Sequence, residues 1–234
     1  MSEISITSSL YKTERFLGNW QKALMSFASE AQNIGLQFEI NAIANEPSEA
    51  ELTILTELKN EPWFNLHIVP RESIYASWNR GVRVANANVI TSWNVDDIRN
   101  AKAIKDGLSK ISTGLELVYF PFIYKRYVRV LNFDLLVKRV TIDPPQFNKD
   151  KFSKEMHCGP FYLFTKSLYE KIGPYDETFR IAGDYDWCAR AAKMSGMLGK
   201  SDLIAGVFEK RDGTLSGGKN PLQEKENARI VQQF

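Results

Sequence analysis

The sequence predicts an α/β protein with a mostly parallel central sheet and helices on both faces. Three observations carry that expectation. In the first half of the chain, β-prone runs alternate with segments of helical periodicity four times. One of those runs, Asn88-Val89-Ile90-Thr91-Ser92-Trp93, leads straight into two adjacent carboxylates, Asp96 and Asp97. The length, 234 residues, suits one domain, or one domain with a small appendage.

Each element has its own signal. Residues 4–9 alternate like a short strand. From Glu14 the apolar positions Phe16, Leu17, Trp20, Leu24, Phe27 and Ala31 recur at helical spacing, and Gly35 suits the end of that helix. Residues 38–44 read as a second strand, stopped by Asn45-Glu46-Pro47-Ser48, with Pro47 opening a helix through Leu58. Residues 66–69 form a third strand and 73–87 a helix. The strand before Asp96 comes next, then a helix over 101–109. The second half is less regular. Residues 115–140 read as strands, and Asp143-Pro144-Pro145-Gln146 breaks them. A strand at 161–164, a short helix at 166–172, a helix at 184–194 and a strand at 203–208 follow. A Gly/Ser/Lys loop spans 211–220, and a charged helix ends the sequence.

Composition bounds the function. Hydrophobic residues make up 44% and charged residues 25%, ordinary for a globular protein. Thirty basic and 28 acidic side chains give a net charge of +2, so general nucleic-acid binding has no support. Cys158 and Cys188 share no metal-binding spacing and suit a reducing compartment. The two histidines, His67 and His157, are too few for a histidine-based metal site. No apolar run reaches membrane-spanning length, and a signal-peptide pattern is missing. The expectation is a cytoplasmic protein, with at most a peripheral contact at the inner face of a membrane.

Asp96 and Asp97 matter because ligands of open α/β sheets bind at the carboxyl edge. Adjacent acids repel, and a divalent cation that bridges to phosphates offsets the repulsion. Solvated acids at a strand end are the plain alternative. The order of the surrounding motifs decides between them.

That order resembles glycosyltransferase family 2, the inverting, nucleotide-sugar-dependent enzymes of GT-A fold. The opening strand, Tyr11 and Glu14 match the family's start, with Ser9 where a proline is common. Ala44-Asn45-Glu46-Pro47-Ser48 stands where the family has an acidic pair, so Asn45 reads either as a nucleobase contact or as a turn former. Ser77-Trp78-Asn79-Arg80-Gly81 matches the helix beside the diphosphate; Arg80 reads as a phosphate partner or as a solvated helix arginine. Asn94-Val95-Asp96-Asp97 matches the metal motif, with Asn94 in place of its leading acid. Gly173-Pro174-Tyr175-Asp176-Glu177 and then Gly183-Asp184-Tyr185-Asp186-Trp187 match the acceptor half.

The resemblance implies a GT-A-type, Rossmann-like sheet with a small acceptor-side subregion. The nucleotide-sugar half would cover residues 1–100, the acceptor half 101–216, and a helical tail 217–234. It implies Ser8, Tyr11, Glu14, Asn45, Asn79, Arg80, Asp96 and Arg211 on the donor, and Asp97 with Asp96 on Mn²⁺ or Mg²⁺. Asp184 would be the general base, with Asp186, Trp187 and His157 on the acceptor side. The late stretch from Phe208 to Ser216 lacks the family's histidine, and Arg211 occupies about that place. The donor would be a nucleoside-diphosphate sugar, UDP-linked, and the acceptor a glycan or its lipid-linked precursor. A non-catalytic sugar-nucleotide or glycan-binding module is the rival reading. A nucleotidyltransferase is a weaker one, because no Gly-rich basic loop follows the first strand.

Overall fold

A computed structural model describes residues 2–131, 133–212 and 220–233. The first half runs β1 (Ile4–Leu10), α1 (Glu14–Asn33), β2 (Phe38–Asn45), α2 (Glu49–Leu58), β3 (Phe64–Val69), α3 (Ile74–Val84), β4 (Val89–Ser92), β5 (Ile98–Arg99) and α4 (Ala101–Ser112). Then come β6 (Leu117–Tyr119), β7 (Phe122–Val130), β8 (Phe133–Ile142), α5 (Lys149–Phe152), β9 (Tyr162–Thr165) and α6 (Lys166–Ile172). The chain closes with α7 (Gly183–Met194), β10 (Leu198–Lys200), β11 (Gly206–Lys210) and α8 (Pro221–Gln233).

Seven strands form the main sheet in the order β10-β6-β9-β4-β1-β2-β3. All neighbours are parallel except β9, which runs antiparallel to β4 and β6. β1 and β2 are buried almost throughout, the signature of strands covered on both faces. A second sheet, β5-β11-β7-β8, stands beside the first. The expected strand at 203–208 begins later, at Gly206, because β11 pairs in parallel with β7 and takes its register from there. The long apolar run 115–140 divides into β6, β7 and β8.

Two cores hold the sheet. On one face Leu17, Trp20, Leu24, Phe27 and Ala31 of α1 pack with Ile6, Ile40 and Trp93. On the other, α3, α6 and α7 bring together Tyr75, Trp78, Phe164, Tyr175 and Trp187. Three helices of the first half carry side-chain caps: Ser48 and Glu51 form a reciprocal capping box on α2, Ser73 caps α3 and Asn100 caps α4. Two glycines let the second layer close on the site. A Cβ on Gly81 would meet the Thr7 side chain at 2.1 Å, so α3 lies directly on β1. A Cβ on Gly183 would meet the buried Tyr75 ring at 2.7 Å, so the start of α7 lies against α3.

Candidate active site

A cleft of about 660 Å³ opens at the carboxyl ends of β1, β3 and β4. This is the edge at which the parallel arrangement gathers loop residues around a ligand. Tyr11, Lys12 and Phe16 follow β1, Arg71 and Glu72 follow β3, and Asn94 and Asp96 follow β4. The opposite wall comes from Tyr75, from Asp184 and Tyr185 at the start of α7, and from Gln223 and Asn227 of α8. The structure therefore brings Asp96 and Asp184 onto one cavity.

Asp184 is the second residue of α7, whose N-cap is Ala182. Asp184 is not the cap of its helix. Its Oδ1 accepts the Tyr185 N–H at 2.9 Å and lies 3.5 Å from the Tyr75 hydroxyl, which donates to Ile181 O at 2.6 Å. Burial raises its pKa to about 6, against the lowering effect of those hydrogen bonds; the Glu226 charge adds to the rise. A carboxylate so tuned is ionised at neutral pH yet basic enough to take a proton.

Glu226 was not singled out by the sequence. It sits on α8, 7% exposed, and its carboxylate accepts three backbone N–H groups: Arg180 at 2.9 Å, Ile181 at 3.0 Å and Ala182 at 2.9 Å. It serves the start of α7 in place of a local cap. Arg229 adds an ion pair to Asp176 at 3.0 Å and lies over the Phe179 ring, while Ile230 is fully buried. The closing helix thus packs into the wall that carries Asp184.

The two acids after β4 have different surroundings. Asp96 faces the cleft, and burial raises its pKa while the Arg211 charge opposes the rise. Asp97, expected to be the direct metal ligand, is turned inward and only 3% exposed. It accepts the Glu209 N–H at 3.3 Å and the Asn94 amide at 3.4 Å, and burial together with Asp96 pushes its carboxyl well above the usual range. The cleft-facing donor is therefore Asp96. Among the described residues no group of three His, Cys, Asp or Glu side chains converges on one point. The donor set fits a Mg²⁺ or Mn²⁺ ion held by one carboxylate and completed by phosphate oxygens and water.

Several expected donor contacts have other partners. Asn45, 1% exposed, donates to Leu10 O, Ile43 O and the Ser77 hydroxyl and accepts the Glu72 N–H at 3.0 Å. It pins the loop after β3 to the end of β1 and does not line the cleft. Arg80 makes a forked ion pair with Glu72, with contacts from 2.8 to 3.3 Å, so Glu72, not Arg80, faces the cavity. Asn79 is saturated by Tyr169, Glu177 and both backbone groups of Tyr175, tying α3 to the loop after α6. Ser8 is buried inside β1, and the cleft-facing serine is Ser9. Glu14 is exposed and accepts the Ser48 hydroxyl at 2.5 Å. Only Tyr11 and Asp96 of the expected donor residues line the cavity, and the Arg71 guanidinium lies 4.6 Å over the Tyr11 ring.

On the acceptor side, Asp186 is buried and paired with Arg190 at 2.9 Å. Trp187 is fully buried and donates to Gly173 O at 3.1 Å. Both face the core because α7 turns them away from Asp184. His157 packs against Phe152 with ring centroids 4.8 Å apart and planes tilted by 40°, and its neighbour Met156 lines the cleft instead. Arg211 lies 4.0 Å over the Tyr127 ring and pairs with Glu209 and with Asp134 at 2.9 Å. The rest of the late stretch, from Gly213 to Ser216, lies outside the described residues. Arg71 and Glu72 were legible by the argument used for Asp96, since they follow a parallel strand at the same edge.

The fold, though not any site residue, is similar to that of S. aureus TarS. TarS 1–349 in complex with UDP-GlcNAc matches with a TM-score of 0.69 at 14% identity, covering 100% of this chain and 71% of that one. The two chains share one fold, a mostly parallel sheet flanked by helices. The TarS 1–349 complex with UDP gives 0.66 at 14% identity over 99% of this chain and 64% of that one. TarS 1–349 itself gives 0.63 at 14% identity over 89% of this chain, which spans 60% of the TarS chain's length. No family model and no curated protein matches the sequence. At this identity the likeness to TarS is one of fold, and the expected GT-A-type architecture with its mostly parallel sheet is what the chain adopts.

Proposed function

We propose that this chain is an inverting glycosyltransferase of the family 2 type. It moves a sugar from a UDP-linked donor to a hydroxyl of a glycan or lipid-linked acceptor. The observation that carries the reading is the pairing of Asp96 with a raised-pKa Asp184 across one cleft at the carboxyl edge of the sheet. The likeness to TarS 1–349 in its complexes with UDP-GlcNAc and UDP supports the choice of donor.

In this mechanism the acceptor hydroxyl enters beside Asp184. As its oxygen bonds to the anomeric carbon, its proton passes to the Asp184 carboxylate, and the bond to the diphosphate breaks. Tyr75 and the Tyr185 N–H hold that carboxylate in place. Asp96 would hold Mn²⁺ or Mg²⁺, which when bound offsets the charge that builds on the leaving diphosphate. Tyr11 and Arg71 offer a stacked pair for the nucleoside. Arg211, held by Glu209 and Asp134, opposes the rise that burial causes in the Asp96 pKa and so favours the carboxylate that would hold the metal.

The test is a thermal-shift panel of UDP, GDP, CDP and dTDP, each with and without Mn²⁺, on wild type and Asp96→Ala. Ligand at a hundred times its Kd stabilises the folded state by about 2.7 kcal/mol. UDP with Mn²⁺ is expected to raise Tm in wild type and not in the variant. A shift unchanged in Asp96→Ala removes the metal assignment. No shift with any nucleotide removes the donor reading and leaves a glycan-binding module.

A further inference from the structure

α8 brings two side chains onto the cleft that the proposed mechanism does not use, Gln223 and Asn227. They stand four residues apart, so they share one face of the helix, with Cβ atoms about 5–6 Å apart. The helix is fixed from another side. Glu226 accepts the backbone N–H groups of Arg180, Ile181 and Ala182, Arg229 pairs with Asp176, and Ile230 is fully buried. The backbone beneath the two amides is therefore set. Both side chains are half-buried, and neither amide has a hydrogen-bond partner among the described residues.

Placement and chemistry say what the amides meet. They share a wall with Asp184, whereas Tyr11, Arg71 and Asp96, which serve the donor in the proposed mechanism, stand opposite. Tyr185 adds a third neutral group to the Asp184 wall: it is 5% exposed, and its hydroxyl has no partner among the described residues. Arg180 also lines the wall, but it is exposed, and water and salt screen a single exposed cation. The sheltered groups are thus neutral, and an amide both donates and accepts. An apolar chain would leave them unpaired, and a phosphate or carboxylate would leave their carbonyls so. Sugar hydroxyls, each a donor and an acceptor, satisfy both halves of an amide. One turn of helix between the amides is about the breadth of a pyranose ring.

We infer that Gln223 and Asn227 form an acceptor subsite, reading hydroxyls of the sugar whose attacking hydroxyl faces Asp184. The inference rests on the proposed transferase reading and extends it. The tail, expected to lie beyond both halves of the domain, then supplies acceptor specificity.

The experiment compares wild type with Gln223→Ala, Asn227→Ala and Lys225→Ala. Lys225 is exposed and does not line the cleft, and cooperative urea unfolding confirms that each variant folds. Two readouts are taken. The first is saturation-transfer NMR, with UDP present, of the methyl glycosides of glucose, galactose and N-acetylglucosamine. The second is transfer from UDP-GlcNAc with Mn²⁺ to the glycoside that binds. Wild type and Lys225→Ala are expected to bind at least one glycoside equally. Gln223→Ala and Asn227→Ala should each raise its KM about tenfold, with kcat changed less than about twofold and UDP affinity unmoved. One monodeoxy form of that glycoside should bind wild type about tenfold more weakly, with no further loss in the matching alanine variant. Glycoside binding lost in both alanine variants, without turnover in wild type, would keep the subsite and remove the catalytic reading. Turnover in every protein with an unmoved acceptor KM would remove the subsite and keep the catalytic reading. No glycoside bound by wild type, or UDP affinity that falls in the alanine variants, would overturn the inference as well.

Discussion

Replacing Glu226 with Gln tests whether α8 belongs to the working site. The glutamate gathers three backbone N–H groups at the start of α7 at 2.9 to 3.0 Å, while 7% exposed. A glutamine keeps one acceptor oxygen and turns an NH₂ toward the remaining donor. One buried N–H then loses its partner, at roughly 1–3 kcal/mol. The charge at a partly buried helix start contributes up to about 2 kcal/mol more. The expected loss is therefore about 2–4 kcal/mol in urea unfolding, a Tm drop of roughly 5–15 °C for a chain of this size. The same change acts on catalysis with the opposite appearance. The Glu226 charge raises the Asp184 pKa, so its removal favours the Asp184 carboxylate and moves the acid limb of kcat/KM to lower pH. Stability and pH profile are read on one protein sample. A variant as stable as wild type, with an unmoved acid limb, would refute the assignment of Glu226 to the α7 start.

Other expectations are as direct. Asp184→Asn should abolish transfer and also stabilise the protein at neutral pH by up to about 3 kcal/mol, since it removes a carboxylate disfavoured by burial. The sign follows from a folded pKa of about 6, above the unfolded value: the penalty is absent in acid and grows as pH rises toward 6, so the stability gap should close below pH about 4. Asn79→Ala removes a side chain bonded to Tyr169, Glu177 and both backbone groups of Tyr175 and should cost about 2–4 kcal/mol in urea unfolding. Arg80→Gln should leave UDP affinity within about threefold, because its charge is already taken by Glu72, whereas a direct charged contact would be worth tenfold or more. Calorimetric titration with UDP separates those outcomes.

What the sequence disclosed depended on where each residue finds its partners. The parallel sheet was legible because alternation of apolar runs is a local signal, and Asp96 was legible because its strand stops beside it. Residue type alone left Asn45 and Arg80 open between a donor contact and a structural role, and it did not show the partners of Glu14. Each suits a donor site, but the Glu72 backbone, the Glu72 carboxylate and the Ser48 hydroxyl hold them elsewhere. The different surroundings of Asp96 and Asp97 depend on the N–H of Glu209, more than a hundred residues away and invisible to any local pattern. Glu226 escaped for the same reason: its partners are backbone groups some 45 residues earlier, which have no residue type to read. α8 read only as a charged helix because just Glu226 and Ile230 of its described face are buried, too few for a clear periodicity.

The most direct test of the central claim is UDP release from UDP-GlcNAc with Mn²⁺, followed across pH for wild type and Asp184→Asn. Wild type is expected to turn over, with kcat/KM falling in acid around pH 6 as Asp184 takes a proton. Asp184→Asn should bind UDP as tightly and release none from the sugar. Equal turnover in the variant, or a wild type that binds UDP but releases none at any pH, would contradict the account.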